Sequence, residues 1–374
     1  MRGNPLLHAV DRYVGIPILA LGGAVRRARP RPEEVRRVGA INSTNIGDTI
    51  LLSAVLSDLS AAFPEAETIL FTSEAVLPIA GLFRGVRAEP LEIGNPRQAI
   101  RKLRHEQLDI LLDFDQWPRI EPVYCLLSGA HWTAGFRSPH QHRHYSYDAA
   151  VNHSSSQHEI DNYRDLAGLL GIQSRSIPRL KAPGVLDPRR MPPWPYVLLH
   201  MWPTGVRSEL KEWPADRWLR LAGELAGGGY AIVLSGAAGD AARTKAFAQS
   251  CRVMAKPPLD FSGTCDLAEL VDLAAGSACV ISVNTGVAHL AAATGTPTVV
   301  LNGPTSERRW GPIGDRAVSI NSKYPGCGYL HFGWEYKGRR EDCMLGISVD
   351  EVLEVVALSC EQDHRRRRAA GESR

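Results

Sequence analysis

The sequence predicts an α/β fold of two doubly wound, parallel-sheet domains, and three observations carry that prediction. Short apolar runs alternate with helical patterns along most of the 374 residues, the alternation that builds a mainly parallel sheet. A chain of this length exceeds what one ordinary core serves, so two domains of comparable size are expected. A stretch with prolines at 178, 183, 188, 192, 193 and 195 interrupts the alternation near mid-chain; it is the best candidate for the boundary.

The first 35 residues stand apart. Tyr13 to Leu21 is apolar, and arginines 26, 27, 29, 31, 36 and 37 follow it. The run is too short to span a bilayer, and Asp11 before it with a basic cluster after it is unlike a signal peptide. Two readings stand: a segment lying in a membrane interface with its arginines over acidic headgroups, or an ordinary strap on the domain surface.

The first domain is placed at 36–185, with strands at 37–41, 68–71, 109–112 and 131–136 and a helix opening at Asn45-Ile46-Gly47-Asp48. The second is placed at 190–356, with strands at 196–200, 230–235, 278–283 and 298–301. Its helices start at Pro214 and at Asp266, where Asp266 and Glu269 have capping-box spacing. A final helix begins near Ser348 with Glu351 in capping position, and the basic tail 357–374, with Arg365 to Arg368, is expected to be disordered.

Composition narrows the function. Net charge is +3 from 43 basic and 40 acidic side chains, with much of the excess at the two ends, so a nucleic-acid binder is not indicated. Seven cysteines without a C-x-x-C pair suggest neither a disulfide framework nor a zinc knuckle, and fit a reducing, cytoplasmic setting. Cys327, His331 and Cys343 offer a metal or redox cluster on paper, but widely spaced cysteines are most often packed thiols. Six of the twelve histidines fall between 131 and 158. Their polar loop lacks an acidic or cysteine partner at ligand spacing, so no metal is expected there. With Arg137, His140 and Arg143 it reads instead as a mobile, basic acceptor site.

The chemistry concentrates at two strand-to-helix turns. In Val280 to Leu290 an apolar run breaks into Asn284-Thr285-Gly286 and restarts with helical spacing, which is how a strand delivers a helix N-terminus. The unpaired N–H groups and positive dipole end there can hold a phosphate or diphosphate without a metal. Asn284 is placed as the N-cap; Thr285 and Gly286 would supply N–H groups and a hydroxyl, and His289, one turn on, could bond a phosphate oxygen. A capped helix with no ligand and a backbone-bonded histidine are the plain alternatives. In Arg37 to Asp48 the same grammar ends in a carboxylate. Asp48 is either a good helix starter or, because Gly47 lets another molecule approach the turn, a base for a hydroxyl nucleophile. Gly303-Pro304-Thr305 exits the same sheet as Thr285 and would wall a nucleotide or sugar pocket. Lys211, just before a proline-started helix, is either solvated or neutralises a departing diphosphate. Asp240 fits a ribose hydroxyl and a helix N-cap equally. Ligands in such sheets bind at the carboxyl ends of strands, so both turns are expected to line one interdomain cleft.

Together, Asn45-Ile46-Gly47-Asp48-Thr49-Ile50-Leu51, Phe63-Pro64-Glu65-Ala66, Asn284 to Ala293 and Gly303-Pro304-Thr305 resemble the ADP-heptose:lipopolysaccharide heptosyltransferases, glycosyltransferase family 9, over residues 36–356. The resemblance implies a GT-B fold of two Rossmann-like domains, a donor on the C-terminal one, an acceptor on the N-terminal one, and inversion without a metal. It implies that Asp48 is the catalytic base, that Lys211 contacts the diphosphate and leaving group, and that Thr285, Gly286 and His289 line the phosphate site. Where the family commonly has aspartate before Thr-Gly, this chain has Asn284, whose amide donates as well as accepts.

The expectation is therefore an inverting, metal-independent transferase with no cofactor, moving a sugar, in the first place heptose from ADP-heptose, to a lipopolysaccharide-type or other cell-surface glycan. It would be cytoplasmic, with peripheral contact at the inner membrane. The rivals are transfer of another nucleotide-activated sugar to a small-molecule scaffold and a catalytically silent nucleotide-binding protein.

Overall fold

The computed structural model describes residues 11–370 apart from 26, 44, 255 and 334. Residues 1–10, Arg26 and the last four of the expected tail therefore lie outside the described residues. The chain divides into two compact units between Ile177 and Pro178, and each is described by itself.

The first unit is built on a parallel sheet. Its strands are β1 (Arg37–Ile41), β2 (Glu67–Thr72), β3 (Val86–Pro90), β4 (Ile110–Asp113), β5 (Trp132–Arg137) and β6 (Ala149–Asn152), in the order β3-β2-β1-β4-β5-β6. The chain works outward from β1 in one direction and from β4 in the other, so the order reverses between these two, where Ile41 pairs with Asp113. Beyond β1 runs the helix Ile46–Ala62, started by the Asn45 side chain. Ile50, Leu51, Leu52, Ala54, Val55, Leu56 and Leu59 are buried along it, a face broad enough to fix it on the sheet.

The second unit repeats the plan. Its strands β7 (Tyr196–His200), β8 (Ala231–Ser235), β9 (Leu259–Asp260), β10 (Cys279–Val283), β11 (Thr298–Asn302) and β12 (Ala317–Asn321) lie in the order β12-β11-β10-β7-β8-β9. Here the reversal falls between β7 and β10, where His200 pairs with Ser282. The core on one side gathers Val197, Leu199, Ile281, Val299 and Leu301 with Trp213 and Trp218, whose rings meet edge to face at 5.1 Å, a favoured geometry. The helix Leu267–Gly276 carries the complete Asp266–Glu269 capping box.

Two terminal features depart from or extend the expectation. The tail is not disordered as far as it is described: the last helix runs from Val349 to Ala370, so its backbone stays helical through the arginines, a residue type with good helix propensity. At the other end, Asp11–Gly15 leads into the helix Ile16–Val25. It is tied down by the Asp11 carboxylate, which accepts from the Arg119 N–H at 2.7 Å and pairs with its guanidinium, and by Arg29, which pairs with Asp148 at 2.9 Å. Among the described residues no helix is long and apolar enough to cross a membrane.

Candidate functional site

In open α/β sheets the crevice for ligands lies beyond the carboxyl ends of the strands where the order reverses. Each unit has one such point, with Asp48 near the first and Thr285, Gly286 and His289 at the second.

At the β1/β4 reversal stands Asp48, 5 % exposed. Its N–H donates to the Asn45 carboxamide at 3.2 Å, which orients the first turn of the helix. Thr49 Oγ1 donates to Asn42 Oδ1 at 2.8 Å and to the Asn45 carbonyl at 2.9 Å, locking the loop that Gly47 and Asp48 close. From the β4 side, Asp115 Oδ2 accepts from the Ser43 N–H at 2.8 Å and the Ser43 hydroxyl at 2.9 Å; that hydroxyl also lies 3.1 Å from Glu121 Oε1.

Behind this loop is a fully buried charge cluster that the sequence reading missed. Asp113 accepts from Arg143 at 2.7 Å and from the Tyr147 hydroxyl at 2.6 Å, and Arg143 also donates to the carbonyls of Asp115 and Pro118. Burial pushes Asp115 up to about 7, with the charge of Asp113 adding to it. It pushes Glu121 well above the usual range too, with Asp115 adding to it. Arg143 opposes both shifts.

Arg143 therefore corrects an expectation. It was placed on a mobile acceptor loop, but its side chain is 0 % exposed, because a guanidinium is what neutralises buried carboxylates. Arg137 and His140 remain exposed on that loop. The His140 and Gln141 carbonyls accept from Arg119 at 3.2 and 2.9 Å, which ties the loop to the protein.

At the β7/β10 reversal the helix Gly286–Ala293 begins. Its N-cap is Thr285, not Asn284, with extended backbone (φ −147°) and no capping bond from its side chain. Asn45, Asn95 and Asp266 all cap their helices with side-chain oxygens; this one leaves the first-turn N–H positions of Gly286 and Val287 without such a cap, and a helix cannot satisfy those donors itself. His289 is buried one turn on. Asn284 reaches sideways instead, donating to Asn302 Oδ1 at 2.8 Å and to the Trp310 carbonyl at 3.2 Å, so its amide cross-links the β10 and β11 exits.

From β7 the chain leaves through His200, whose Nδ1 lies 3.0 Å from the Ser235 hydroxyl and which burial pushes down to about 4, leaving it neutral. The loop ends in the helical turn Ser208–Lys211, where Lys211 Nζ donates to the Thr204 carbonyl at 2.7 Å. Lys211 is thus folded onto the loop of the strand adjacent to β10. Asp240, beyond β8, stands at the N-cap position of the helix Ala241–Ser250 but makes no capping bond there; its carboxylate accepts from the Ala237 N–H at 3.0 Å instead.

Gly303 to Thr305 follow β11, and two of their carbonyls are taken. Gly303 and Pro304 carbonyls accept from Gly328 and Leu330 N–H groups at 3.1 and 2.9 Å, and Thr305 bridges to Leu330. A Cβ on Gly303 would fall 2.3 Å from Met344 Sδ, so the glycine answers a packing demand. A cavity of about 270 Å³ opens beside this turn, lined by Gly303, Ser306, Glu307 and Cys327 among others. Cys327 and Cys343 form a disulfide, where packed thiols and no disulfide were expected; the other five cysteines are not disulfide-bonded. Spacing alone did not reveal the pair, because the intervening turns, not the sequence interval, bring the two together. Among the described residues no group of three or more His, Cys, Asp or Glu side chains is placed to hold a metal ion.

A family model described as glycosyltransferase family 9 (heptosyltransferase) matches residues 97–328. The chain belongs to glycosyltransferase family 9. Among curated relatives it is 31% identical over 150 residues to lipopolysaccharide heptosyltransferase 1 of Pseudomonas aeruginosa, covering 40% of each chain. It is 33% identical over 111 residues to lipooligosaccharide heptosyltransferase 2 of Haemophilus influenzae, covering 29% of this chain and 32% of that one. The matched segments thus span about two-fifths or less of those relatives' lengths.

The fold comparison reaches further. The E. coli ADP-heptose lps heptosyltransferase II structure aligns with TM-score 0.71 at 21% identity, over 88% of this chain and 99% of that one. A family 9 glycosyltransferase from Veillonella parvula aligns with TM-score 0.73 at 17% identity, over 90% of this chain and 100% of the other. A third, E. coli heptosyltransferase WaaC with ADP-2-deoxy-2-fluoro heptose, aligns with TM-score 0.64 at 20% identity, over 86% and 99%. These likenesses establish the GT-B fold of two Rossmann-like domains for this family 9 chain.

Proposed function

We propose that this transferase moves heptose from ADP-heptose to a hydroxyl of a lipopolysaccharide-type glycan, with inversion at the anomeric carbon. One observation carries the proposal: the helix Gly286–Ala293 starts without a side-chain cap beside the loop that ends in Lys211, at the strand-order reversal of the second sheet. First-turn N–H groups and a helix dipole there suit a diphosphate, and the loop leaving the neighbouring strand β7 carries the Lys211 ammonium. In this reading Thr285, Gly286 and His289 hold the donor phosphates, and Lys211 neutralises the charge on the departing nucleoside diphosphate. No cofactor takes part.

On the first unit, Asp48 takes the proton of the attacking hydroxyl. That oxygen bonds to the anomeric carbon from the face opposite the diphosphate, which leaves with the electron pair of its bond. Single displacement inverts the centre. Gly47 leaves room for the acceptor at this turn, and Arg137 and His140 offer donors to acidic groups on it. Gly303 to Thr305 border the donor, with the Gly303 and Pro304 carbonyls already taken by Gly328 and Leu330. The reaction runs on the cytoplasmic side, where nucleotide sugars are made.

One feature favours a second reading of the donor. Asn284 spends its N–H₂ on Asn302 and Trp310, bonds that an aspartate at this position could not donate, so the β10 and β11 exits are tied differently from the family's common pattern. A different nucleotide-activated sugar fits that change. Calorimetric titration of ADP-heptose against UDP-, GDP- and TDP-sugars separates the two. Selective binding of ADP-heptose supports the heptose reading, selective binding of another donor replaces it, and no binding by any of them removes the transferase assignment of this site.

A further inference from the structure

The helix Ile16–Val25 and the turn before it carry apolar residues on the face toward the protein and on the face away from it. Gly15, Ile16, Leu19, Gly22 and Gly23 face the protein, and Leu19 is 0 % exposed. The glycines permit close approach: a Cβ on Gly15 would lie 3.1 Å from Arg119 Cβ, one on Gly22 2.4 Å from Leu126, and one on Gly23 2.8 Å from Tyr145. The outward positions are Tyr13, Val14, Pro17, Ile18, Ala20, Leu21 and Ala24, all without charge. Tyr13 is 74 % exposed, Leu21 70 % and Val14 50 %. Leu127 and Tyr145, neighbours of the residues that receive Gly22 and Gly23 or one of them, are also exposed. A helix apolar on every side belongs in a core or in lipid, and an apolar patch of this kind on a soluble surface marks a contact.

Charge identifies the occupant. No acidic residue lies between Asp11 and Glu33, whereas arginines stand at 12, 26, 27, 29 and 31. Asp11 itself is buried against Arg119, and Arg29 is held by Asp148; Arg12 and Arg27 are exposed at the two ends of the apolar face. An apolar stripe between cationic ends matches the layering of an anionic bilayer surface, acyl chains beneath phosphate headgroups.

We infer that residues 12–25 together with Arg27 dock this protein on an anionic lipid surface, with Tyr13, Val14, Ile18 and Leu21 inserted and Arg12 and Arg27 on the headgroups. The segment is pinned through Asp11 to Arg119, which holds the His140 and Gln141 carbonyls, so docking also sets the exposed loop with Arg137 and His140 close to the lipid. That last consequence rests on the acceptor reading above; the docking itself does not.

The test is flotation of the full-length protein with vesicles of phosphatidylcholine alone and of phosphatidylcholine with phosphatidylglycerol, needing neither donor nor acceptor. The wild type is expected to float with the anionic vesicles, less as salt rises, and the double variant Ile18→Asp/Leu21→Asp to bind at least about tenfold less with an unchanged melting temperature. Arg12→Glu/Arg27→Glu should weaken anionic binding alone, and Ile18→Ala/Leu21→Ala keeps the test valid should the aspartates hinder folding. Equal flotation of wild type and apolar-face variants overturns the inference. So does a wild type that ignores vesicles but dimerises through this face by light scattering, the dimer dissolving in the variant.

Discussion

Asp48→Asn isolates the proton-accepting step from everything else that residue does. The substitution keeps shape and leaves the Asn45 cap of the backbone N–H intact, but an amide cannot take a proton from a hydroxyl at neutral pH. A positioned general base contributes about 10²- to 10⁴-fold, so kcat should fall by that factor, about 2.7 to 5.4 kcal/mol at 1.36 kcal/mol per tenfold. The stability cost is far smaller. A negative charge in the first turn contributes about 0.3–1 kcal/mol through the helix dipole, and in a unit of this size about 1 kcal/mol moves the melting temperature by about 2–4 °C. Relief of carboxylate desolvation at this nearly buried position acts the other way. The assay is release of nucleoside diphosphate from ADP-heptose with a lipopolysaccharide-core acceptor, alongside a thermal melt and a donor titration. Donor affinity should stay within about twofold, since the residues assigned to the donor belong to the other unit. A variant retaining more than a tenth of wild-type kcat, with an unshifted melt, would refute the base assignment.

Three further outcomes follow from the same geometry. Lys211→Ala should lower turnover about 10²- to 10³-fold, as loss of one charge-stabilising donor does; unchanged steady-state kinetics would make it a surface lysine held by Thr204. Gly303→Ala places a Cβ 2.3 Å from Met344 Sδ and should cost about 1–3 kcal/mol by overpacking, read by urea denaturation, with Met344→Ala recovering part of it; a neutral Gly303→Ala would contradict the packing role. Asp115 titrates near 7 in the fold against 3.8 when unfolded, so between these values the folded state holds a proton the unfolded chain has released. Its contribution is full below the unfolded value and is lost as pH rises toward 7, and Asp115→Asn should gain stability relative to wild type from pH 4 to 7; parallel stability curves would show that Asp115 does not titrate there.

What the sequence made legible depends on where each strand lies in its sheet. The eight strands read from it, among them 37–41, 196–200 and 278–283, are the inner ones, and their residues are almost all buried. Strands covered on both faces read as continuous apolar runs. The four that escaped notice, Val86–Pro90, Ala149–Asn152, Leu259–Asp260 and Ala317–Asn321, are the four outer strands of the two sheets. One flank of an edge strand meets solvent or loop, so its composition is mixed, as Val86-Arg87-Ala88-Glu89-Pro90 is, and no periodicity announces it.

The candidate site divides along a similar line. Turns that act through their own backbone, such as Asn45 to Asp48 and Thr285-Gly286, are local features, and local sequence carries them. Residues that act through distant partners are not. Arg143 sits in a run of histidines that reads as polar loop, yet its partner Asp113 is 30 positions away and the two meet because β4 and β5 are neighbours. Asp113, Asp115 and Glu121 gave no signal either, since Ile110 to Asp113 reads as a strand end and Glu121 as an ordinary first-turn acid. The cluster is costly to bury and would be avoided in a unit needing only a core. Among the described residues it reaches the loop between β1 and Asp48 through Ser43, which bonds Asp115 and Glu121. If Asp48 is the base proposed above, rigid support for its carboxylate accounts for that expense, because a base displaced by as little as about 1 Å loses much of its rate advantage.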